Sequence, residues 1–169
     1  MRENVYLVDD DPTVRASLSW LLEAIQITLQ SYDGARRFLA EADLDQPGCL
    51  ILDLCMPGMS GGELQEALNR IPNTLAIVFL TGEADVATTV SLFKQGAFDL
   101  LEKPVDSDVL LEAIGRACAH SRQLHKRLHA RRALQTRLER LSAREREIMA
   151  LVQEGMQNKQ IADRLCIAL

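Results

Sequence analysis

Aromatic residues are scarce in this 169-residue chain, at 4%, and glycine (9) and proline (5) are sparse as well. An aliphatic core follows, and collagenous or low-complexity architectures are excluded. The four cysteines, Cys49, Cys55, Cys118 and Cys166, lie far apart with no CxxC pair. Neither a zinc ribbon nor a disulfide framework is indicated, and a reducing compartment fits best. No apolar run approaches the length of a membrane span, and Met1 leads into a strand-like NVYLVDD instead of a basic segment followed by an apolar one. The sequence therefore predicts no secretion, no membrane insertion and a cytoplasmic location.

The length allows one principal domain and a second small one. The net charge of −5 hides an asymmetry: residues 1–108 carry 7 Lys/Arg against 18 Asp/Glu, whereas residues 116–140 carry 8 against 1. Two parts so different in charge are expected to meet different partners.

Short apolar runs, VYLV (5–8), CLILDL (49–54) and AIVFLT (76–81), alternate with amphipathic stretches, and ITLQSY (27–32) and FDLLEK (98–103) complete the series. Five β/α units and parallel strands covered on both faces are predicted, which is an α/β doubly wound sheet. Asp11-Pro12, Asp33 and Ser60 mark helix starts. Val14, Leu18, Leu22 and Ile25 form the core-facing stripe of the first helix. From Asp106 to about Leu141 the pattern runs on as a long helix, along which Leu110, Ile114, Ala117, Ser121, Leu124, Leu128, Arg131, Gln135 and Leu138 trace a coiled-coil seam. Ser121, Arg131 and Gln135 break it, so a solvated connecting helix fits as well as a two-stranded coil.

In a doubly wound sheet, reactive groups gather at the carboxyl ends of the strands. That rule selects Asp9 and Asp10 after the first strand, Asp53 after the third, Thr81-Gly82 after the fourth and Lys103-Pro104 after the fifth. Converging carboxylates repel one another unless a hard cation offsets them, and such an oxygen set suits Mg²⁺, or Mn²⁺. An aspartate beside a divalent cation and an ammonium can attack a phosphoryl donor, because both cations neutralise charge on the transferring oxygens. Asp53 is the natural nucleophile.

The segments VDDDP (8–12), LILDLCMPGMSG (50–61), FLTGEAD (79–85) and LLEKP (100–104) occur in order and together resemble the receiver domain of two-component response regulators. The resemblance covers residues 4 to about 118. It implies a flavodoxin-like, five-stranded parallel sheet in the order 2-1-3-4-5, the strand order that receivers themselves illustrate. It also implies that Asp53 is the phosphoacceptor, with Asp10, Asp53 and the backbone carbonyl of Cys55 as metal ligands and Asp9 acting through water. Thr81 would donate its hydroxyl to the phosphoryl group, Gly82 would leave room for it, and Lys103 would pair with it before a cis bond to Pro104. Asp11 reads as a helix cap. Receivers usually carry Phe or Tyr three residues before the lysine as a switch group. Here that position is Leu100, with Phe98 two residues earlier on the same strand parity. Cys55 reads as a small side chain lining the pocket, with no redox role.

Ser142-Ala-Arg-Glu145 forms a capping box opening a helix with Ile148, Met149 and Val152 on its apolar side, closed by Gly155. Asn158 is expected to cap a second helix, KQIADRL. The string LSAREREIMALVQEGMQNKQIADRLCI (141–167) resembles the start of the LuxR-type helix-turn-helix of the NarL/FixJ class of response regulators. The helix that enters the major groove is the later one, and the chain stops at Leu169 about where it should begin. This stretch alone is therefore expected to read no DNA sequence.

The expected division is a receiver domain over 1–118, a helical linker over 119–140 and the first part of a helix-turn-helix domain over 141–169. The basic linker could attract DNA phosphates, although a solvated helical face, or a surface docking on the acidic receiver, weighs more. His125 and His129, four apart with no third ligand, read as a solvated pair. The expected function is control of transcription by a phosphoryl group taken from a sensor histidine kinase onto Asp53, with DNA bound through the complete effector domain and a homodimer formed on phosphorylation. The chain is not expected to be an enzyme beyond accepting that group and losing it again. A signalling adaptor acting through protein contacts alone is the alternative. An aspartyl-phosphate hydrolase is disfavoured, because it would carry a second aspartate where Cys55 stands.

Overall fold

The computed structural model describes residues 4–82 and 85–165, with the side chain of Asp163 excepted. Glu83 and Ala84 of the FLTGEAD segment, Cys166 and the chain end at Leu169 lie outside the described residues. Five strands, β1 (Asn4–Val8), β2 (Leu29–Tyr32), β3 (Gly48–Asp53), β4 (Ala76–Thr81) and β5 (Asp99–Glu102), form one sheet in the order β2-β1-β3-β4-β5. Every pairing is parallel. The helices α1 (Pro12–Ala24), α2 (Ala35–Glu41), α3 (Gly61–Asn69), α4 (Val86–Lys94) and α5 (Ser107–Glu139) alternate with the strands. The doubly wound five-stranded sheet and its expected strand order are both present.

Side chains on a strand alternate between faces, so one apolar run feeds two cores. Leu50, Leu52 and Phe79 pack with Phe38 of α2 and Leu64 of α3 on one side. Ile51, Val78 and Leu7 pack with Leu22 of α1 and Ile114 of α5 on the other. Every residue of β3 and β4 is buried for this reason. Each such leucine or phenylalanine contributes roughly 1.5–3 kcal/mol by leaving water.

Local chemistry sets the helix ends. The Asp11 side chain accepts from the Thr13 amide at 2.7 Å, and Ser60 and Glu63 form a reciprocal capping box. Asp33 does not cap α2: Gly34 holds the cap position without a side-chain bond, and Asp33, one residue too early, lies 3.8 Å from Arg37. Ile25 leaves the core stripe of α1, because the helix stops at Ala24 and the chain turns through Gln26 at φ 63°. Ile25 is exposed, and Leu21 packs in its place.

The chain divides into two compact units, Met1–Lys126 and Arg127–Leu169. Leu110, Ile114 and Ala117, the first part of the seam traced along α5, are core residues of the first unit. Ser121 is fully buried there: its hydroxyl accepts from the Gly48 amide at 2.8 Å and donates to the Thr74 carbonyl at 2.5 Å. The residue that interrupts the apolar seam is thus a polar tie between α5 and the starts of β3 and β4. Nearby, Thr74 Oγ1 lies 3.5 Å from His125 Nδ1.

In the second unit, α6 (Ala143–Gln153) opens on the Ser142–Glu145 capping box and ends before Gly155 at φ 81°. Its buried residue is Leu151, packed with Ile148, Met156 and, from α7 (Asn158–Leu165), Ile161 and Leu165. Val152, expected on the apolar side, is exposed, because the side turned to α7 carries Ile148 and Leu151, three apart. Asn158 is the first residue of α7 and not its cap. Gln157 precedes it: its carbonyl accepts from the Ile161 amide, and its own amide donates to Gln160 Oε1.

Candidate functional site

Strand register brings the selected residues together. Val8 pairs with Leu52, Asp53 with Leu80, and Thr81 with Glu102, so β1, β3, β4 and β5 end side by side. Asp9 and Asp10 follow β1, Asp53 ends β3, Thr81 ends β4 and Lys103 follows β5. The Lys103 amide donates to the Thr81 carbonyl at 2.7 Å, and the bond from Lys103 to Pro104 is cis.

The Lys103 ammonium lies 2.9 Å from Asp9 Oδ2 and 3.1 Å from Asp53 Oδ1. Asp9 is fully buried, Asp53 and Thr81 nearly so, and Asp10 is exposed. One carboxylate oxygen from each of Asp9, Asp10 and Asp53 falls within 4.8 Å of the others. Three negative groups at that spacing, with one ammonium beside two of them, leave a surplus of negative charge that a divalent cation with oxygen ligands would balance. The donor set therefore fits Mg²⁺ or Mn²⁺.

Burial pushes the Asp53 carboxyl above the ordinary carboxylate range; the hydrogen bond and charge of Lys103 oppose this, and the neighbouring Asp9 charge adds to it. Burial alone would depress Lys103, but its hydrogen bonds to Asp9 and Asp53 outweigh that and hold the ammonium above its usual value. Asp11 is different in kind. The Thr13 amide holds its carboxyl below the usual range, as a helix cap should.

Supporting contacts that the sequence did not single out complete the site. Asp9 Oδ1 accepts from the Asp11 amide at 2.9 Å, and the Arg15 guanidinium donates to the Asp9 carbonyl at 2.8 Å. Arg15 carries no signal of this in the sequence, because the reach from α1 back to β1 is a tertiary fact. A Cβ on Gly61 would stand 2.3 Å from the Asp53 carbonyl oxygen, so α3 approaches the Asp53 backbone through a glycine. Beside Gly82 an added Cβ would meet only open space. The Cys55 side chain is exposed and, with Ser60, Glu66, Thr88 and Gln95, lines a cavity of about 450 Å³ between α3 and α4.

The two residues expected to share a switching face do not. Leu100 packs against the core on the α2–α4 side, while Phe98 packs against the core on the α1/α5 side. The parity argument fails because β5 begins only at Asp99. The Phe98 ring lies 5.2 Å from the His120 ring and 6.0 Å from the Arg116 guanidinium, which pairs with Asp99 at 2.7 Å.

Comparison with known proteins bears on both units. The family model of the response regulator receiver domain matches residues 5–115, and that of the luxR family of bacterial regulatory proteins matches residues 139–169. The chain is 43% identical to the C4-dicarboxylate transport transcriptional regulatory protein DctR of Rhodobacter capsulatus, over 100% of this chain and 87% of that one. It is 37% identical to the transcriptional regulatory protein FixJ of Rhizobium meliloti, over 97% and 80%. Among solved structures, the response regulator StyR matches with a TM-score of 0.90 at 38% identity, over 99% of this chain and 85% of that one.

Proposed function

This chain belongs to the two-component response regulators that join a receiver domain to a LuxR-type DNA-binding domain, and from that premise we propose that Asp53 is where it takes up the phosphoryl group. The observation that carries the assignment is the Lys103 ammonium held between Asp9 and Asp53 at the carboxyl edge of the sheet. An oxygen of Asp53 attacks the phosphorus of the donor, an acyl phosphate bond forms, and the bond from phosphorus to the donor breaks with its electron pair leaving on the donor. Lys103 stands where it can pair with the new phosphoryl oxygens, and the Thr81 hydroxyl, at the end of the neighbouring strand, is assigned to donate to one of them.

Asp9, Asp10, Asp53 and the carbonyl of Cys55 would hold the divalent cation, with Asp9 acting through water. Its chemistry there is to neutralise charge on the transferring oxygens. The donor is a sensor histidine kinase. The added negative charge is read through Thr81 and Leu100, while Phe98, packed on the other face of the sheet, is assigned to transmit it towards α5. A homodimer formed on phosphorylation, cytoplasmic action, and a division into receiver (1–118), linker (119–140) and helix-turn-helix (141–169) belong to the same proposal. No helix among the described residues is long and apolar enough to cross a membrane.

Intact-mass spectrometry tests the assignment: the chain is incubated with Mg²⁺ and acetyl phosphate beside Asp53→Ala and Lys103→Ala. The expected result is a single phosphoryl adduct that requires the cation and is absent in Asp53→Ala, with its yield cut sharply in Lys103→Ala. An adduct that persists in Asp53→Ala sinks the assignment.

A further inference from the structure

In the second unit, residues 127–139 of α5 bury nothing: every one is exposed except the half-buried Leu128. Residues 127–140 hold five arginines, Arg127, Arg131, Arg132, Arg137 and Arg140, against a single carboxylate, Glu139. Glu139 already accepts from the Gln135 side chain at 3.1 Å. Among the described residues no carboxylate pairs with any of the five guanidinium groups. By contrast, Arg37, Arg116 and Arg144 each have a carboxylate partner, and Arg146 donates to the Leu141 carbonyl.

Unpaired arginines at this density oppose the helix that bears them. Arg127 and Arg131 are four apart, and Arg137 and Arg140 three apart, spacings at which like charges repel and weaken a helix. An external anion removes that penalty. All five are arginine and none is lysine, which favours an anion that accepts a planar fork of N–H donors, as phosphate does.

The helix also has sides. At 3.6 residues per turn, Arg132, Arg137 and Arg140 fall within about 140° of one another. Leu134 and Leu138, both exposed, lie on the opposite side together with Arg127 and Arg131. From Arg132 to Arg140 the rise is about 12 Å, enough to follow a duplex that carries one phosphate per roughly 1.7 Å of axis. A lipid surface fits less well, because a helix lying on a membrane needs an unbroken apolar side and here two arginines break it. The luxR-family match begins at residue 139, on this same helix, so duplex held by a complete effector domain would be kept near α5 at high effective concentration. We infer that Arg132, Arg137 and Arg140 form a phosphate-binding strip that holds double-stranded DNA without regard to sequence.

Fluorescence anisotropy of the 169-residue chain with a short labelled duplex of arbitrary sequence, over about 50–200 mM salt, tests this. The wild type should bind with affinity that falls steeply with salt. R132Q/R137Q/R140Q should lower the log–log slope by roughly 2–3, since each phosphate contact contributes about 0.9. R127Q/R131Q, on the other side, should lower it by less than about 1. Glutamine has nearly the helix propensity of arginine, and circular dichroism should show the helix intact in both.

The strip is overturned if the chain binds no duplex, if the triple variant keeps the wild-type slope, or if both variants lose slope in proportion to the charges removed. Binding to vesicles containing phosphatidylserine in place of duplex, lost in L134S/L138S, would overturn it in favour of a lipid surface. The inference rests on the DNA-directed reading of the second unit but not on Asp53, so phosphoryl uptake measured by mass separates its failure from failure of the phosphoacceptor assignment.

Discussion

The two units bury different kinds of side chain. Among the described residues, the buried polar groups Asp9, Asp53, Gln65, Thr74, Thr81 and Ser121 all lie in the first, whereas the second buries only Leu151, Ile161, Ala162 and Leu165. A carboxylate can be held away from water only where enough chain surrounds it to supply partners, and a five-stranded sheet covered on both faces does so. Two short helices cannot. The first unit can therefore tune the acidity of Asp53, while the second presents its charges to solvent and depends on caps for its helix ends.

The largest effect that would sharpen this contrast is removal of a core side chain. Phe38 is fully buried and meets the rings of Tyr6 and Tyr32 edge-on at 5.6 and 5.4 Å. Phe38→Ala should cost the first unit about 3–5 kcal/mol. Thermal unfolding followed by circular dichroism should then show an early transition for the first unit, with the helical signal of the second persisting. A single transition for the whole chain, shifted as one, would break the comparison.

A smaller effect is expected at the tie between α5 and the sheet. Ser121→Ala leaves the Gly48 amide and the Thr74 carbonyl without their partner in a buried setting, at a cost of about 1–3 kcal/mol. Hydrogen exchange should report faster opening at Gly48 and along α5 near Ser121, with no change in α6 or α7. If Gly48 exchanges as in the wild type, the hydroxyl is not what fastens α5.

The smallest effect belongs to the second unit. Ser142→Ala removes one half of the capping box of α6 and should cost about 1 kcal/mol. Amide exchange at Glu145, whose N–H the serine accepts at 3.2 Å, should accelerate while the first unit is untouched. A loss of stability in the first unit would show that the two do not unfold separately.

Much of this was legible beforehand, for reasons that particular residues illustrate. Asp53, Thr81 and Lys103 could be picked from the sequence because strand ends announce themselves by the close of an apolar run, and parallel strands in register bring such ends to one edge. Ser60 could be picked because a cap residue stands directly before its helical stretch, and Ser142 because its capping box lies within four consecutive residues. Three departures fell where an element boundary moved by a residue, and that of Val152 where the facing helix chose the side of α6. Gly34 displaced Asp33 as a cap, Gln157 displaced Asn158, and β5 began one residue too late for Phe98 to share a face with Leu100.

Ser121 marks the line between what sequence and tertiary structure decide. Apolar periodicity and local caps determine that helices and strands form, in what order, and which residues stand at strand ends, because those signals depend on neighbours a few positions apart. Whether a polar residue on a helix faces solvent or a buried amide depends on what is packed against it. Gly48 is 73 residues from Ser121, and only the folded sheet brings that amide to the hydroxyl. The same holds for Lys103, placed between carboxylates 94 and 50 residues away. Apolar runs mark these groups as standing at strand ends; the distances that let one ammonium serve two carboxylates arise only when the strands lie side by side.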